Sequence, residues 1–428
     1  MSNNPVTAAI VGCGHRGLGY GRYSKSHPEA LKIVAVADPN EIRRRAAAEE
    51  FGIPVEMQFR TAEEMAEEPQ FADAVINGTM DQHHVPTTLP LLEAGYDVLL
   101  EKPICRTKED LLSLLETVTR TRRKLMIGHV LRYAPFYVGI KRRLLAGEIG
   151  RIMTIHSAEA VSYHHWAVGF VRGRWGKREI SPFMLAKCCH DLDLQAWMMS
   201  GVRPTRIASM GSRMYFTEEN APEGSGTRCL VDCEIEATCP YSARKNYLEQ
   251  KLWGAYCWEA IEHIEDPTEE DKIESLKTDN PHGQCVWRTD GDIVDHQSIV
   301  TEFADGALAT HDLIAGTARP GRKIHICGTE GEIEGFMEDG TFVVRHADAR
   351  AGHEYSEEEV DMNVSADMHG GGDLRLVEDF INTVRGDEVS ISTTDVFDSV
   401  YGHMIAFGAD EAMTSRRVVE IEDLKPGA

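Results

Sequence analysis

Two basic side chains stand where they could handle protons of a small ligand. Lys102 follows the short apolar run 98–100 and Glu101, and Pro103 follows it directly. Such a run predicts a buried parallel strand, and ligands of open α/β sheets bind just beyond the carboxyl ends of strands. We therefore expect Lys102 to carry an ammonium group into a ligand crevice. A lysine that only caps the strand at the surface is the alternative, and it is the commoner case for an isolated Lys-Pro pair.

His190 is the second of these side chains. It lies at the start of a predicted helix that continues through Trp197, and Asp193 follows three residues later on the same helix face. An imidazole exchanges protons near neutral pH, and a carboxylate can orient it. The alternative is a structural histidine at a helix start, capped by Asp193. The preceding Cys188 and Cys189 lack a second closely spaced ligand pair, so we predict buried thiols and no metal site.

A glycine-rich turn near the N-terminus indicates a dinucleotide. The first predicted strand runs into Gly12, Gly14 and Gly17, spaced as GxGxxG, and a helix follows. These glycines permit a tight turn and let the backbone approach a pyrophosphate at the helix N-terminus. A second predicted strand, 32–37, ends at Asp38, about twenty residues further on, as this fingerprint expects.

Asp38 bears on which dinucleotide could bind. A carboxylate here accepts hydrogen bonds from a ribose diol and repels a 2′-phosphate, which favours NAD over NADP. Arg43, Arg44 and Arg45 follow and could serve a 2′-phosphate instead, although a solvated helix face is the commoner meaning of such a run.

Strands and helices continue to alternate up to about residue 130. Further strands are predicted at 73–77 and 124–128, and helices at 40–51, 83–95 and 107–121. This alternation predicts βαβ units, so residues 1–130 are expected to form a Rossmann domain with a doubly wound parallel sheet.

Beyond residue 150 the pattern changes to strands without intervening helices. Segments 151–164, 227–238 and 296–313 alternate like strands of a largely antiparallel sheet. Residues 131–428 are therefore expected to form a C-terminal α/β domain with an open, largely antiparallel sheet. Residues of about 242–295 are predicted to be an insertion, and the last helix, about 394–416, could pack back on the N-terminal domain.

The composition excludes several classes of partner. The 428-residue chain is 42% apolar and has a formal charge of −24, which argues against nucleic acid and anionic membranes. We find no signal-peptide pattern and no apolar run near the ~20 residues of a membrane span. Ten cysteines in a chain of this length favour reduced thiols, so we expect a cytoplasmic protein.

A loop from Tyr163 to Trp175 is dense in aromatic, imidazole and guanidinium groups and includes His165 and Trp166. This composition suits polyhydroxylated ligands, because apolar faces stack on rings and polar tips reach hydroxyl groups. An aromatic contact between subunits is equally compatible.

With these motifs in place, the chain resembles the glucose–fructose oxidoreductase, inositol dehydrogenase and rhizopine-catabolism (Gfo/Idh/MocA) family over essentially its whole length. The most specific motif is Glu101-Lys102-Pro103 at the end of the predicted strand 98–100. The others are the glycine turn, Asp38, Thr79 with His84 five residues later, and the His190-x-x-Asp193 helix entry.

The resemblance implies oxidation of a secondary alcohol of a sugar, inositol or related polyol with a nicotinamide cofactor. It also implies a C-terminal substrate-binding domain whose sheet forms a homodimer or homotetramer. Lys102 and His190 match the catalytic residues. The cofactor-binding set would be Gly12, Gly14, His15, Arg16, Gly17, Asp38, Thr79, His84 and Glu101. The substrate-binding set would be Arg132, Tyr133, His165, Trp166 and Asp193.

One departure from the family pattern affects the catalytic set. Many relatives carry an aspartate four residues before the catalytic histidine, where this chain has Ala186. Lys187 follows, as in a subgroup with a Lys-Cys-Cys-His signature. Lys187 is therefore a third catalytic candidate, either as a charge that lowers the pKa of the neighbouring histidine or, if desolvated, as the base.

Three functions fit these residues. The first is NAD-dependent oxidation of a sugar or glycoside, with C3 a candidate position because the insertion and the aromatic loop could accommodate a substituent. The second is an NAD-dependent glycosidase that uses transient oxidation, elimination, addition and re-reduction. The third is a non-catalytic regulator that senses the cofactor, against which Lys102 and His190 argue.

Overall fold

The N-terminal part of the chain is built on a parallel sheet. The computed structural model describes residues 4–362, 368–422 and 424. The six strands are β1 (Val6–Val11), β2 (Leu31–Ala37), β3 (Gln58–Phe59), β4 (Ala74–Asn77), β5 (Asp97–Leu100) and β6 (Leu125–Ile127). Their order, β3-β2-β1-β4-β5-β6, reverses beside β1. Such a reversal opens a ligand crevice at the carboxyl ends of the strands.

Six helices flank this sheet. They are α1 (His15–Gly21), α2 (Tyr23–Ser26), α3 (Glu41–Phe51), α4 (Ala62–Glu67), α5 (His84–Glu93) and α6 (Lys108–Thr121). Asn40 and Thr107 cap α3 and α6 by accepting hydrogen bonds from first-turn N–H groups. The predicted strands and helices of this half are confirmed. The sequence argument missed β3 and α4, which are too short to show a hydrophobic period.

The C-terminal part is built on a nine-stranded mixed sheet. Its strands are β7 (Ile152–Ser162), β8 (Pro204–Ser212), β9 (His296–Phe303), β10 (Leu308–Thr317), β11 (Gly321–Gly328), β12 (Glu332–Phe336), β13 (Thr341–Ala347), β14 (Tyr355–Asp361) and β15 (Val419–Glu420). The order is β14-β13-β12-β11-β7-β10-β9-β8-β15, and only β7 and β10 pair in parallel among these described strands. The predicted fold class, a Rossmann sheet followed by an open and largely antiparallel sheet, is confirmed.

Seven helices complete the C-terminal part. They are α7 (Pro135–Leu145), α8 (Tyr163–Trp166), α9 (Phe183–Met198), α10 (Gly254–Cys257), α11 (Glu269–Lys277), α12 (Gly372–Arg385) and α13 (Val396–Ser415). Every residue of α9 except Lys187 is buried, which makes α9 the core helix of this part.

Helix α12 crosses back to the N-terminal sheet. Its residues Leu376, Val377 and Phe380 share a hydrophobic cluster with Ile10 of β1. Helix α13 packs chiefly on α9 and β8 and touches α6 and β6, so both late helices join the two halves. Within the described ranges, no helix combines the length and apolar character needed to cross a lipid bilayer.

Residues 213–295, between β8 and β9, contain no strand. The strand predicted over 227–238 is wrong. The carboxylate of Asp232 accepts hydrogen bonds from the N–H groups of Thr227 and Arg228, and this closes a turn where apolar residues alternate. The segment inserted between β8 and β9 therefore begins well before residue 242.

Candidate functional site

A cavity of about 510 Å³ lies between the carboxyl edge of the N-terminal sheet and the C-terminal part of the chain. The N-terminal part contributes Gly12, Gly14, His15, Arg16, Asp38, Pro39, Asn40, Arg43, Gly78, Thr79, Met80, Asp81, His83, Glu101 and Lys102. The C-terminal part contributes His165, Phe170, Arg174, Trp175, Ala186, Lys187, His190, Ala255, Tyr256, Glu259 and Arg322. The two predicted halves of the site thus meet in one space.

The glycine turn after β1 is tightly packed at two glycines and open at the third. Gly12 has a φ of +83°, and a Cβ on Gly17 would lie 2.3 Å from the Gly12 carbonyl oxygen. A Cβ on Gly14, by contrast, would meet no described atom within 4 Å, because Gly14 borders the cavity. The turn therefore leaves its backbone accessible to a phosphate group at Gly14.

Asp38 is oriented at the cavity wall by backbone donors. Its carboxylate accepts hydrogen bonds from the N–H groups of Cys13 and Asn40, each at 2.8 Å. This is the position from which a carboxylate receives a ribose diol. The accessible backbone at Gly14 and the oriented acid at Asp38 together fit NAD.

Arg16 and Glu101, both predicted to contact the cofactor, are paired with each other. Arg16 Nε lies 2.5 Å from Glu101 Oε1, and Arg16 Nη2 lies 2.6 Å from Asp373 Oδ1 at the start of α12. Burial opposes the charge of Arg16, but Tyr20, Glu101 and Asp373 raise its pKa well above the ordinary value. This network joins α1, β5 and α12 at the cavity wall.

Seven residues of the predicted cofactor set border the cavity, whereas Gly17 and His84 do not. His15 and Thr79 line it. His84 is fully buried, with Nδ1 2.6 Å from the Pro103 carbonyl oxygen and Nε2 3.0 Å from the Thr79 carbonyl oxygen. His84 therefore supports, from behind, the two loops that carry Thr79 and Lys102.

Lys102 reaches the cavity from the end of β5. Its Nζ donates a hydrogen bond to the carbonyl oxygen of Ala186 in α9 at 3.2 Å. Burial lowers the pKa of Lys102, but nearby groups, Cys189 and Glu101 foremost, raise it above the ordinary value. Lys102 is therefore an ammonium group at neutral pH and can donate to an oxygen atom in the cavity.

His190 faces the same cavity from α9, one turn after Ala186. Behind it stands the fully buried His129, whose ring lies edge to face with the His190 ring at a centroid distance of 5.7 Å. Burial holds the pKa of His129 well below its ordinary value, and the charges of Arg132 and Lys102 add to the shift. The uncharged His129 does not repel a proton that His190 takes up.

Lys187 belongs to a network of four charges in which the two carboxylates are buried. Its Nζ lies 3.0 Å from Glu159 Oε1 in β7, and Arg322 Nε lies 2.7 Å from Glu159 Oε2 and 2.9 Å from Asp191 Oδ1. The two cations line the cavity, and the two carboxylates that pair with them lie behind it. The pair with Glu159 would have to break before Lys187 could act as a base.

Four of the five residues predicted to bind substrate do not line the cavity. Arg132 and Asp193 form a fully buried bidentate pair with N–O distances of 2.7 and 2.6 Å, where α13 covers α9. Tyr133 donates to Asp379 at 2.8 Å in the interior. Trp166 packs against aromatic rings of the core and is 1% exposed. Tertiary packing directs these four side chains away from the site.

His165, the fifth of these residues, does line the cavity. Burial, followed by the charge of Lys187, lowers the pKa of His165 to about 2, so its imidazole is neutral. Trp175 and Tyr256, whose ring centroids are 5.9 Å apart, extend the wall. Tyr256 was missed by the sequence argument, and only the abundance of Trp and Tyr in the insertion could have indicated it.

An accessible glycine turn and an oriented acid on one side, with a lysine and a histidine on the other, define a dinucleotide-dependent oxidoreductase with its site between two domains. The chain belongs to the Gfo/Idh/MocA oxidoreductase family. The family's NAD-binding Rossmann fold matches residues 6–129, and its C-terminal alpha/beta domain matches residues 141–421. NAD is accordingly the cofactor of the N-terminal domain.

Relatives are similar over different parts of the chain. Inositol 2-dehydrogenase 4 of Saccharopolyspora erythraea is 29% identical over 236 residues, 55% of this chain and 64% of that protein. The 2,7-anhydro-N-acetylneuraminate hydratase of Mediterraneibacter gnavus is 30% identical over 210 residues, 49% of this chain and 53% of that protein. The match thus spans less than two thirds of either relative. A solved levoglucosan dehydrogenase in complex with NADH shares the fold, with a TM-score of 0.70 at 16% identity over 98% of this chain and 100% of the other.

Proposed function

We propose that the protein oxidises a secondary hydroxyl group of a sugar, polyol or glycoside to a ketone by hydride transfer to NAD. The observation that carries this proposal is the convergence of Lys102 and His190 on the cavity that Gly14 and Asp38 border. Relatives named as inositol and levoglucosan dehydrogenases support this substrate class. A regulator without catalysis would not need an ammonium group and an imidazole at one cavity.

The two basic side chains divide the work on the hydroxyl group. NAD, when bound, accepts the hydride from the alcohol carbon. His190 takes the hydroxyl proton as general base. Lys102 donates a hydrogen bond to the same oxygen and stabilises the negative charge that develops on it. The neighbours that raise the pKa of Lys102 keep it in the ammonium form that this role requires.

Lys187 is proposed to hold a second substrate hydroxyl while Glu159 anchors it at the wall. Lys187 lies one turn before Asp191 and directly before Cys188. Binding of a substrate hydroxyl group would explain why a lysine stands in the Lys-Cys-Cys-His signature of the proposed subgroup. The sequence predicts that Arg132 and Asp193 bind substrate, but neither residue borders the cavity. We propose instead that their ion pair anchors α9.

His165, Trp175 and Tyr256 are proposed as the substrate wall. Aromatic faces stack on the C–H face of a sugar ring, and a neutral imidazole both donates and accepts hydrogen bonds. Because Tyr256 comes from the insertion, the proposed wall includes a side chain from outside the two sheets, and we propose that a substituent on the sugar contacts it. More specifically, we propose that the protein oxidises the C3 hydroxyl group of a glycoside.

Replacement of His190 tests this function. A panel of inositols, sugars and glycosides, followed at the NADH absorbance, first identifies the substrate. His190→Ala should then lower turnover by about 10²–10⁴-fold, because the proton loses its acceptor, and should leave NAD affinity nearly unchanged. His353→Ala, at an exposed site before β14, is the matched control. Full turnover in the His190 variant would exclude it as the base.

A second candidate function is an NAD-dependent glycosidase. Oxidation of one carbon acidifies the adjacent C–H, elimination releases the leaving group, water adds, and the ketone is reduced again. Residues of the insertion line the cavity, which favours a cofactor that stays bound while it is reduced and oxidised again in each cycle. One relative is named as a hydratase. An aryl glycoside separates the two functions. A dehydrogenase forms NADH in proportion to product, whereas a glycosidase releases the phenol with no net NADH.

We further propose a homodimer or homotetramer through the outer face of the C-terminal sheet. Met210, Val300, Leu308 and Ile314 expose apolar side chains on these strands. Native mass spectrometry counts the subunits, and Ile314→Glu should reduce the count.

We also propose that the protein is cytoplasmic. All ten cysteines are free thiols, which supports this location.

A further inference from the structure

Residues 254–262 of the insertion lie across the end of the cavity where β2 leads into α3. We call them the covering segment. Its Glu259 lines the cavity together with Asp38 and Arg43 of the N-terminal part. A distant part of the chain therefore forms the wall beside the acid that receives the ribose.

Two carboxylates of the covering segment bind the start of α3. Arg43 Nε donates to Glu262 Oε2 at 2.7 Å, and Asn40 Nδ2 donates to Glu262 Oε1 at 2.6 Å. Arg43 Nη2 lies 3.6 Å from Glu259 Oε1, and Glu259 also pairs with Arg174. Both oxygens of Glu262 thus accept hydrogen bonds from the start of α3.

These contacts account for the Arg43–Arg45 run, for which the sequence left two interpretations. Arg43 is held by Glu262 and Glu259. Arg44 Nη1 donates to the Asp38 carbonyl oxygen at 2.6 Å, and Arg45 pairs with Glu41 at 2.5 Å on the exposed face of α3. Each of the three guanidinium groups therefore has a protein partner.

A 2′-phosphate would enter at this end of the cavity. A phosphate monoester carries about −1.5 to −2 charges at pH 7 and needs a cation beside it. Arg43 and Arg174 line the cavity there, but Glu259 pairs with both, Glu262 also holds Arg43, and Asp38 adds a third negative charge nearby. Burial alone would lower the pKa of Arg43, and the bond and charge of Glu262 raise it, which agrees with a firmly held pair.

We propose that Glu259 and Glu262 are specificity-determining residues that exclude NADP by holding Arg43 and by adding negative charge at the 2′ position. Asp38 then excludes NADP together with Glu259 and Glu262. The proposal rests on the cofactor lying in this cavity. Binding of NAD itself checks that assignment separately.

Titration calorimetry of the full chain with NAD⁺ and with NADP⁺ tests the proposal. In Glu259→Gln/Glu262→Gln, the amides remove two charges but keep the size, so Arg43 becomes free to bind phosphate. We expect NADP⁺ to bind about tenfold more tightly than it binds the native protein, while NAD⁺ affinity changes little. Adding Arg43→Ala to this double variant should abolish the gain. Glu269→Gln/Glu270→Gln, in the exposed first turn of α11, is the charge-matched control and should change neither affinity.

An unchanged ratio of NADP⁺ to NAD⁺ affinity in the folded double variant would overturn the proposal. So would a gain that survives Arg43→Ala, because Arg43 would then not be the phosphate receptor. If the double variant does not fold, Glu259→Gln alone carries the test, with a smaller gain expected and an unchanged ratio again negative. Failure of the native protein to bind NAD⁺ would instead contradict the cofactor site, and that result is distinct.

Discussion

Lys102 and Ala186 meet across the boundary between the two halves of the chain, where Lys102 Nζ donates to the Ala186 carbonyl oxygen at 3.2 Å. Ala186 has no polar side chain, so the partner of Lys102 at this position of α9 is a backbone oxygen. The lysine is therefore positioned by a neutral acceptor on α9, and its charge remains available to an oxygen of the substrate.

Lys102→Met should lower kcat by about 10²–10³-fold, because the reacting oxygen loses its charged donor. Lys102→Arg keeps the charge but not the compact geometry, so it should restore only part of the activity. Steady-state kinetics on the identified substrate measures both variants. Lys277→Met, at an exposed position in the last turn of α11, is the control and should behave as native. Native kcat in Lys102→Met would contradict the role.

Two glycine substitutions should separate cofactor binding from folding. Gly14→Ala should leave the free energy of unfolding within about 0.5 kcal/mol of native, because φ is −85° and the neighbourhood is open. It should nevertheless weaken NAD binding about tenfold or more, since the Cβ occupies space that a phosphate needs. Gly17→Ala should cost about 1–3 kcal/mol, because its Cβ would lie 2.3 Å from a carbonyl oxygen.

Urea unfolding and calorimetry measure these two quantities on each glycine variant. Native NAD affinity in Gly14→Ala would show that the cofactor does not pass along this turn.

Breaking the Arg132–Asp193 pair should destabilise the protein without changing substrate affinity. Asp193→Ala leaves a buried guanidinium group uncompensated, which typically costs about 3–5 kcal/mol. Glu357→Ala breaks a pair with Arg345 in which the carboxylate is 54% exposed, and this should cost less than about 1 kcal/mol. Chemical denaturation gives the two values. A raised KM with native stability in Asp193→Ala would restore its predicted role in substrate binding.

Stability should fall between pH 7 and pH 5, in part through His403. This residue is fully buried, and Ile104 N–H donates to its Nε2 at 2.7 Å. Burial, followed by His129, lowers the pKa of His403 to about 3. The unfolded chain takes up a proton below its ordinary pKa while the folded state does not, so stability is lost as pH falls from about 6.5 towards 3.

The contribution of His403 at pH 5 is about 2 kcal/mol by this linkage. His403→Gln, which keeps an acceptor for Ile104, should reduce the loss between pH 7 and pH 5 by about that amount. His353→Gln, at an exposed position, should leave the loss unchanged. Equal pH dependence in native protein and His403→Gln would show that another group titrates there.

The N-terminal half could be predicted from the sequence because each element carries its own local signal. Strands such as β1 and β5 are continuous apolar runs, and the glycine spacing at Gly12, Gly14 and Gly17 is a local backbone requirement. The same reasoning failed at 227–238, where alternating apolar residues lie in a turn that Asp232 closes.

By itself, the sequence determined the family and the fold class, and it singled out the glycine turn, Lys102 and His190, which meet at one cavity in the structure. Only the tertiary structure decided which polar residues face the cavity. All residues of helix α9 except Lys187 are buried, so its hydrophobic period could not show that His190 borders the cavity while Asp193 lies in the core. The contact of Arg43 with Glu262 joins positions 219 residues apart, and such a pairing leaves no local trace because it depends on packing between distant segments.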